Sequence, residues 1–178
     1  CGIFAVRDYA EGMSIDDVRN SFKRYGAATS GLKAGKGVRG YFGQGAKDAL
    51  GSMMDGRICT FKNGGFVECR IFIDGELRGT GDSKSATASL RKEHKIDANG
   101  TIAYFKVDPQ KSGCRVPQLD TVHQELANNA FLRKIMTNFR RKIFLLDADT
   151  GERRLIRYTM PQGKEIMNQD FIISYGRY

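Results

Sequence analysis

The sequence lacks several features that mark particular protein classes. It has no tryptophan, three prolines and two histidines among 178 residues. Its four cysteines form no Cys-x-x-Cys pair, so the usual spacing of a zinc site is absent. No apolar run approaches the roughly 18 residues that a membrane span needs. We therefore expect a cytoplasmic protein without a membrane partner, and we expect Cys59 and Cys69, which lie in apolar runs, to be reduced core residues.

The composition is that of a globular protein with an excess of positive charge. Hydrophobic residues make up 40% of the chain and charged residues 28%, and 29 Lys and Arg against 20 Asp and Glu give a formal charge of +9. Such a balance favours polyanionic partners such as nucleic acid or nucleotide phosphates, although a solvated basic surface is an equal alternative. The same two readings apply to the run Arg140-Arg141-Lys142, which suits either the end of a solvated helix or a nucleic-acid contact.

Hydrophobic periodicity predicts an α+β fold. Asn63-Gly64-Gly65 between two apolar runs predicts a β-hairpin. Ser14 and Asp17 form a variant of the capping box, which predicts a helix with Ile15 and Val18 on its inner face. We place the two histidines, His94 and His123, on the surface or on helix faces, and residues 80–89 in an exposed polar loop. The pattern predicts the following segments: strands over 3–6 (buried), 57–61, 66–73, near Leu77, 101–107, 143–146, 154–158 and 171–174, and helices after Ser14, from about residue 43 and over 119–138.

Two segments carry chemistry suited to a nucleotide. Asp8, at the end of the first strand, can accept a hydrogen bond from an exocyclic amine, and Met13 can lie against a flat base. The second segment, Gly40 to Lys47, places glycines at the start of a helix, where a phosphate can approach backbone N–H groups. Between them lies a glycine-rich loop with Lys33, Lys36 and Arg39, which suits a lid that closes over phosphates.

At these residues the sequence resembles the GHKL ATPase superfamily, which includes the gyrase B subunit, a ninety-kilodalton heat-shock chaperone, sensor histidine kinases, and MutL with its MORC relatives. The run from Asp8 to Ser14 resembles the family's D-x-G-x-G-M box, with Ala10 in place of the first glycine. The run from Gly40 to Gly45 resembles the G-x-x-G-x-G box. Asn99-Gly100-Thr101 is similar to the late Gly-Thr box, and the lid is most similar to that of the MutL and MORC branch.

The resemblance implies a fold and a set of ligand-binding residues. The implied fold is the Bergerat type, a two-layer α/β sandwich with a mixed, mostly antiparallel sheet, which binds ATP with Mg²⁺ under a lid at about 26–40. Asp8 would hold the adenine amine, and Thr101 would complete the adenine end of the site through its hydroxyl. The full set of implied ATP-binding residues is Asp8, Gly12, Met13, Ser30, Lys33, Gly40, Gly43, Gln44, Gly45, Lys47 and Thr101.

The resemblance also implies a helix that precedes the first residue of this sequence. In the family, a helix that carries a Mg²⁺-binding Asn and an acidic general base precedes the first box, and here only seven residues precede Asp8. We therefore expect the catalytic base upstream of Cys1, in a longer polypeptide, and assign no catalytic or metal-binding residue within this chain. We predict an ATP-binding domain over 1–142 and a strand-rich extension over 143–178 that begins a following domain.

The predicted function is an ATP-driven conformational switch in a larger protein. Its expected partners are ATP, neighbouring domains of the same polypeptide, a second copy in a homodimer, and DNA. The basic charge favours DNA as a partner. Two alternatives stay open from the residues alone. One is a nucleotide- or nucleic-acid-binding module without catalysis, and the other is a scaffold that has kept only the fold.

Overall fold

The structure is a computed structural model that describes residues 2–23, 55–72, 77–78, 83–113, 115–160 and 162–164. The chain divides into two compact units, Cys1–Val116 and Pro117–Tyr178, which are described separately. The boundary predicted after residue 142 falls inside the second unit, and the extent of a nucleotide-binding domain stays a prediction. Within the described residues, no helix is both long and apolar enough to cross a membrane.

The first unit is built on one antiparallel sheet. The strands run in the order β1-β6-β2-β3-β4, with β5 beside β3, and each of these pairs is antiparallel. This arrangement confirms the predicted α+β class with a mostly antiparallel sheet. The elements of this unit are β1 (Gly2–Asp8), α1 (Ile15–Lys23), β2 (Asp55–Lys62), β3 (Gly65–Phe72), β4 (Leu77–Arg78), β5 (Lys84–Ser85), α2 (Ala88–His94), β6 (Gly100–Val107) and α3 (Pro109–Ser112).

The predicted hairpin and capping box are both present. Asn63 and Gly64 join β2 to β3 with positive φ angles of 51° and 80°, as a tight type I′ turn requires. At the start of α1, the backbone N–H of Ser14 donates to Asp17 Oδ2 at 2.8 Å, and the N–H of Asp17 donates to Ser14 Oγ at 3.2 Å. Lys62 at the end of β2 binds the same Asp17 oxygen at 2.7 Å, so the helix start is tied to the sheet.

Helix α1 covers one face of the sheet. Val18 packs into a buried cluster with Ile58, Val67, Cys69 and Phe105, as the spacing of its apolar residues predicts. The prediction that the first strand is buried is wrong. Ile3 and Val6 are 68% and 53% exposed, because β1 lies at one end of the strand order and is covered less than β2 and β6.

Helix α2 covers the opposite face, and the sequence pattern does not predict it. Residues 80–89 were expected to form an exposed loop, but Lys84–Ser85 pairs with β3, and Thr87 caps the helix by accepting a hydrogen bond from the backbone N–H of Leu90 at 3.3 Å. The helix ends at Lys95 in the left-handed conformation, which turns Ile96 into the core. A seven-residue helix has too few apolar positions to give a periodic signal, and burial against the sheet stabilises it.

The second unit contains α4 (Leu119–Ala127), α5 (Arg133–Met136), β7 (Ile143–Leu146) and β8 (Arg153–Ile156). The last two strands pair as an antiparallel hairpin, close to the predicted limits. The single helix predicted over 119–138 is wrong. The chain leaves the helix at Asn128, and Asn129 accepts a hydrogen bond from the backbone N–H of Phe131, so its side chain stabilises a turn instead of continuing the helix.

Candidate functional site

Three polar side chains form a row across three neighbouring strands of the first unit. Asp8 on β1 is paired with Thr101 on β6, and Thr101 is paired with Thr60 on β2. Directly opposed residues share a face of the sheet, and their Cβ atoms lie about 4.5–5.5 Å apart. This row, hereafter the polar row, lies on the face that α1 covers, at the end of the strands where the loop 9–14 begins.

Asp8 provides the exposed carboxylate of the polar row. Its Oδ1 atom accepts a hydrogen bond from the backbone N–H of Ala10 at 3.0 Å, which fixes the side chain at the start of the loop. An ionised carboxylate has about four lone-pair sites, so this contact leaves acceptor capacity for a ligand amine. Among the described residues, Asn63 and Lys95 are the non-glycine residues with positive φ, so Ala10 lies in ordinary backbone.

Two glycines allow the loop to pack directly on the strand ends. Gly12 has a φ of 68°, and a Cβ atom there would lie 2.0 Å from the carbonyl oxygen of Phe61. At Gly100, a Cβ atom would lie 2.5 Å from the carbonyl oxygen of Asp8. Both contacts are far shorter than carbon–oxygen packing allows, so Gly12 is required for the loop to approach β2, and Gly100 is required for β6 to approach the end of β1. Gly12, predicted as a lining of the base pocket, is thus required first by this packing.

Thr60 links the strands to the loop. Its side chain is fully buried, and its Oγ1 atom accepts a hydrogen bond from the backbone N–H of Met13 at 2.7 Å. The same oxygen lies 3.3 Å from the carbonyl oxygen of Gly100 and 3.2 Å from Thr101 Oγ1. Thr60 was not among the predicted site residues. The available signal was a lone hydroxyl between Cys59 and Phe61 in an apolar strand, since a buried hydroxyl needs a partner.

Four of the predicted ligand-binding residues are described, and the structure brings them together. Asp8 and Thr101 are cross-strand neighbours, and Gly12 and Met13 lie in the loop against the same strand ends. The side chain of Met13 also packs against the core cluster under α1. The remaining predicted residues lie outside the described part of the chain, as do the lid and the helix predicted from about residue 43: Ser30, Lys33, Gly40, Gly43, Gln44, Gly45 and Lys47.

The ion pair beside the loop sets the electrostatics at the start of α1. Hydrogen bonds from Lys62 and from Ser14 lower the pKa of Asp17 to about 2. Asp17 is therefore ionised at neutral pH and occupied by its partners, whereas the carboxylate of Asp8 is exposed. Within the described ranges, no three His, Cys, Asp or Glu side chains are grouped so that they could hold a metal ion.

The second unit contains a shallow cavity of about 260 Å³. Three cations, Arg141, Lys142 and Arg157, contribute to its lining together with the aromatic residues Phe139 and Tyr158. None of the described residues that line it carries a carboxylate. Arg141 and Lys142 of the basic run therefore lie at a concave surface and not on a regular helix, since α5 ends at Met136.

Comparison with solved structures identifies proteins of similar fold. The chain is similar to the 43K ATPase domain of gyrase B from Thermus thermophilus, in complex with an aminocoumarin, with a TM-score of 0.53 and 18% identity over 88% of this chain. It is also similar to the B subunit of DNA gyrase from Myxococcus xanthus, with a TM-score of 0.61 and 11% identity over 88% of this chain. The chain spans 37% and 41% of the lengths of those two chains.

These likenesses show the fold, which resembles that of the gyrase B ATPase domain and agrees with the predicted class. No protein-family model matches the chain, and no curated protein matches it. The residues of the polar row must therefore be argued from their own chemistry, because a fold can carry different functions.

Proposed function

We propose that this chain is an ATP-binding domain of the GHKL type and that the polar row holds the adenine base. The observation that carries the proposal is the pairing of Asp8 with Thr101 at one end of an antiparallel sheet. The two residues belong to sequence segments that resemble the first and last boxes of the family. The fold resembles that of the gyrase B ATPase domain, which supports this interpretation.

The chemistry of the row suits an adenine edge. Adenine presents an exocyclic amine, a hydrogen-bond donor, beside a ring nitrogen that only accepts. Asp8 supplies an exposed acceptor for the amine, and Thr101 supplies a half-buried hydroxyl that can donate to a ring nitrogen. Both groups are held in place before a ligand arrives, Asp8 by Ala10 and Thr101 by Thr60, so little ordering is needed on binding.

The phosphates would be bound by the second predicted segment. Gly43, Gln44 and Gly45 are proposed to present backbone N–H groups to them, with Lys33 or Lys47 nearby, Ser30 and Gly40 completing the site, and the loop 26–40 acting as the lid. Mg²⁺ is proposed to enter with ATP. The described residues offer no cluster of acidic side chains for it, and we assign no protein ligand to the ion.

The finer parts of the proposal concern what ATP binding does. We propose that it drives a conformational change that is transmitted to neighbouring domains, in a protein that forms a homodimer. The MutL and MORC branch stays our prediction, and so does association with DNA, which the charge of +9 and the basic cavity of the second unit support. A nucleotide-binding module without hydrolysis is the alternative, and turnover of ATP by the full-length protein separates the two.

The test of the proposed site is the substitution Asp8→Asn. The amide can direct an N–H at the adenine amine, where an acceptor is required. A hydrogen bond to a charged group contributes on the order of 1.5–3 kcal/mol, so affinity for ADP and for adenosine should fall about tenfold or more, as measured by calorimetry. Stability should change little, because Asp8 is exposed.

The matched control is Asp97→Asn, which removes an exposed carboxylate from the loop between α2 and β6. This variant should bind both ligands like the unaltered chain. If Asp8→Asn binds adenosine as tightly as the unaltered chain does, Asp8 does not hold the base and the proposed function is wrong.

A further inference from the structure

We propose that Thr60 is a positioning residue of the nucleotide site. Its buried hydroxyl holds the loop 9–14 against the sheet and orients the hydroxyl of Thr101 so that it donates toward the base. This inference rests on the proposed function, since Thr101 must face the ligand. It concerns a residue outside the sequence segments that resemble the family boxes, and it follows from three contacts of a single oxygen atom.

The first contact anchors the loop. The backbone N–H of Met13 donates to Thr60 Oγ1 at 2.7 Å, across a separation of 47 residues. Gly12, the preceding residue, lies against the carbonyl of Phe61, the residue that follows Thr60. The loop 9–14 therefore contacts β2 at two points, through the hydrogen bond of Met13 to Thr60 and through the close approach of Gly12 to Phe61. Loss of the hydroxyl would leave the N–H of Met13 without this partner in a partly buried place.

The other two contacts decide where the protons lie. A threonine hydroxyl has one proton and two lone pairs, and the N–H of Met13 occupies one lone pair of Thr60. The carbonyl of Gly100 can only accept, whereas the hydroxyl of Thr101 can donate or accept. The proton of Thr60 therefore goes either to Gly100 or to Thr101.

These two arrangements present different groups to a ligand. When Thr60 donates to Thr101 Oγ1, the proton of Thr101 is directed elsewhere and can be donated to a ring nitrogen. When Thr60 donates to Gly100, Thr101 can donate back to Thr60, and only its oxygen remains to meet the ligand. A base that needs a hydrogen-bond donor beside the carboxylate of Asp8 stabilises the first arrangement. That arrangement depends on Thr60, because Thr60 is the group that donates to Thr101 Oγ1.

The test compares three variants of the full chain in their affinity for adenosine. Thr60→Val keeps the shape and removes the hydroxyl, and it should weaken binding about tenfold. Thr60→Ser keeps the hydroxyl and should bind within about threefold of the unaltered chain. Phe105→Leu, in the buried cluster under the same helix and opposite Gly56 of β2, is the control for destabilisation without loss of a polar contact, and it should leave affinity unchanged.

A double-substitution cycle separates positioning from a general structural effect. Thr101→Val should weaken binding, and adding Thr60→Val to it should cost clearly less than the about tenfold that Thr60→Val costs alone, because the hydroxyl to be oriented is already gone and only the loop contact is lost. If the two effects multiply, Thr60 does not act through Thr101 and the proposal is overturned. Thr60→Ala, which removes the same hydroxyl, replaces Thr60→Val in the cycle if the latter does not fold.

A measurement without ligand tests the loop contact separately. Amide exchange at Met13 should be at least about tenfold faster in Thr60→Val than in Thr60→Ser, since only the serine retains the acceptor. Equal exchange in the two variants overturns the loop contact. If the unaltered chain does not bind adenosine, the proposed function fails and the role of Thr60 toward Thr101 fails with it. If the unaltered chain binds and Thr60→Val binds equally well, the role of Thr60 alone is overturned.

Discussion

The two faces of the sheet in the first unit are formed by the same strands but carry different chemistry. Thr60 and Phe61 are consecutive residues of β2, and their side chains point to opposite faces. Thr60 belongs to the polar row, with Asp8 and Thr101, on the face that α1 covers. Phe61 belongs to an aromatic cluster on the face that α2 covers, defined by Phe61, Phe66, His94 and Tyr104.

The aromatic cluster satisfies its own polar atoms. The ring centroids of Phe61 and Phe66 are 4.9 Å apart, and His94, which is 1% exposed, stacks on Phe66. His94 Nδ1 lies 2.8 Å from the hydroxyl of Tyr104, and the guanidinium of Arg57 lies over the ring of Tyr104. The polar row, by contrast, keeps an exposed carboxylate and a half-buried hydroxyl. Each face also carries a buried apolar cluster, so the two differ in their polar groups: those of the aromatic cluster contact one another, whereas those of the polar row keep hydrogen-bonding capacity for the proposed ligand.

The largest expected effect is that of Phe61→Ala. Phe61 is fully buried, and truncating such a residue costs about 3–5 kcal/mol of unfolding free energy, which urea denaturation measures. The neighbouring change Thr60→Ser should cost far less. If Phe61→Ala lowers stability by less than about 1 kcal/mol, the aromatic cluster contributes little to the stability of the unit.

An intermediate effect is expected from pH. Burial lowers the pKa of His94 below its usual value of 6.5, an effect that Glu93 opposes. The unfolded chain therefore binds more protons than the folded chain below about pH 6.5, so stability should fall as the pH falls through this range, by at most about 1.4 kcal/mol per pH unit. Urea denaturation between pH 8 and pH 5 measures the slope.

The control for this pH dependence is His94→Gln, which can keep a hydrogen bond to Tyr104 without titrating. The slope between pH 6.5 and pH 5 should become smaller in this variant. An unchanged slope would assign the pH dependence between pH 6.5 and pH 5 to groups other than His94.

The smallest effect is expected at the ion pair between Lys62 and Asp17 on the first face. Its side chains are partly exposed, so Lys62→Met should cost only about 0.2–1 kcal/mol. The pKa of Asp17 should rise from about 2 toward 3.8, as an NMR titration measures. The pair stabilises the fold above pH 3.8, and its contribution is lost as the pH falls through about 2.

Lys92→Met, on the exposed side of α2, is the control for Lys62→Met, and it should leave the pKa of Asp17 unchanged. A pKa of Asp17 that stays near 2 in Lys62→Met would show that the capping hydrogen bonds of Ser14 alone lower it.

Local signals predicted the elements whose structure depends on neighbouring residues. The turn at Asn63-Gly64 and the capping box at Ser14 and Asp17 act over two to four residues, and both are present. Cys59 and Cys69 are buried free thiols as predicted, and burial raises the pKa of each to about 12. Their position in apolar runs was sufficient to predict this.

The wrong predictions concern burial and the ends of helices. The first strand was expected to be buried because Ile3, Phe4 and Val6 are apolar, but its position in the sheet decides its exposure. For His94, predicted on the surface or on a helix face, the second alternative is correct, but the residue lies on the buried inner face of a helix that the pattern does not predict. The single helix predicted over 119–138 is wrong because the apolar periodicity of the sequence continues across the turn that follows Ala127.

The sequence by itself determined which residues are candidates for the site, because the runs Asp8 to Ser14, Gly40 to Gly45 and Asn99 to Thr101 carry the resemblance to a nucleotide-binding family. Only the tertiary structure decided which other groups meet them. Thr60 lies 47 residues from Met13 and 41 from Thr101, and no local pattern relates residues so far apart. The register of β2 and β6 brings their atoms within hydrogen-bonding distance. The strand pairing that sets this register is a property of the whole sheet, since it depends on all the cross-strand contacts at once.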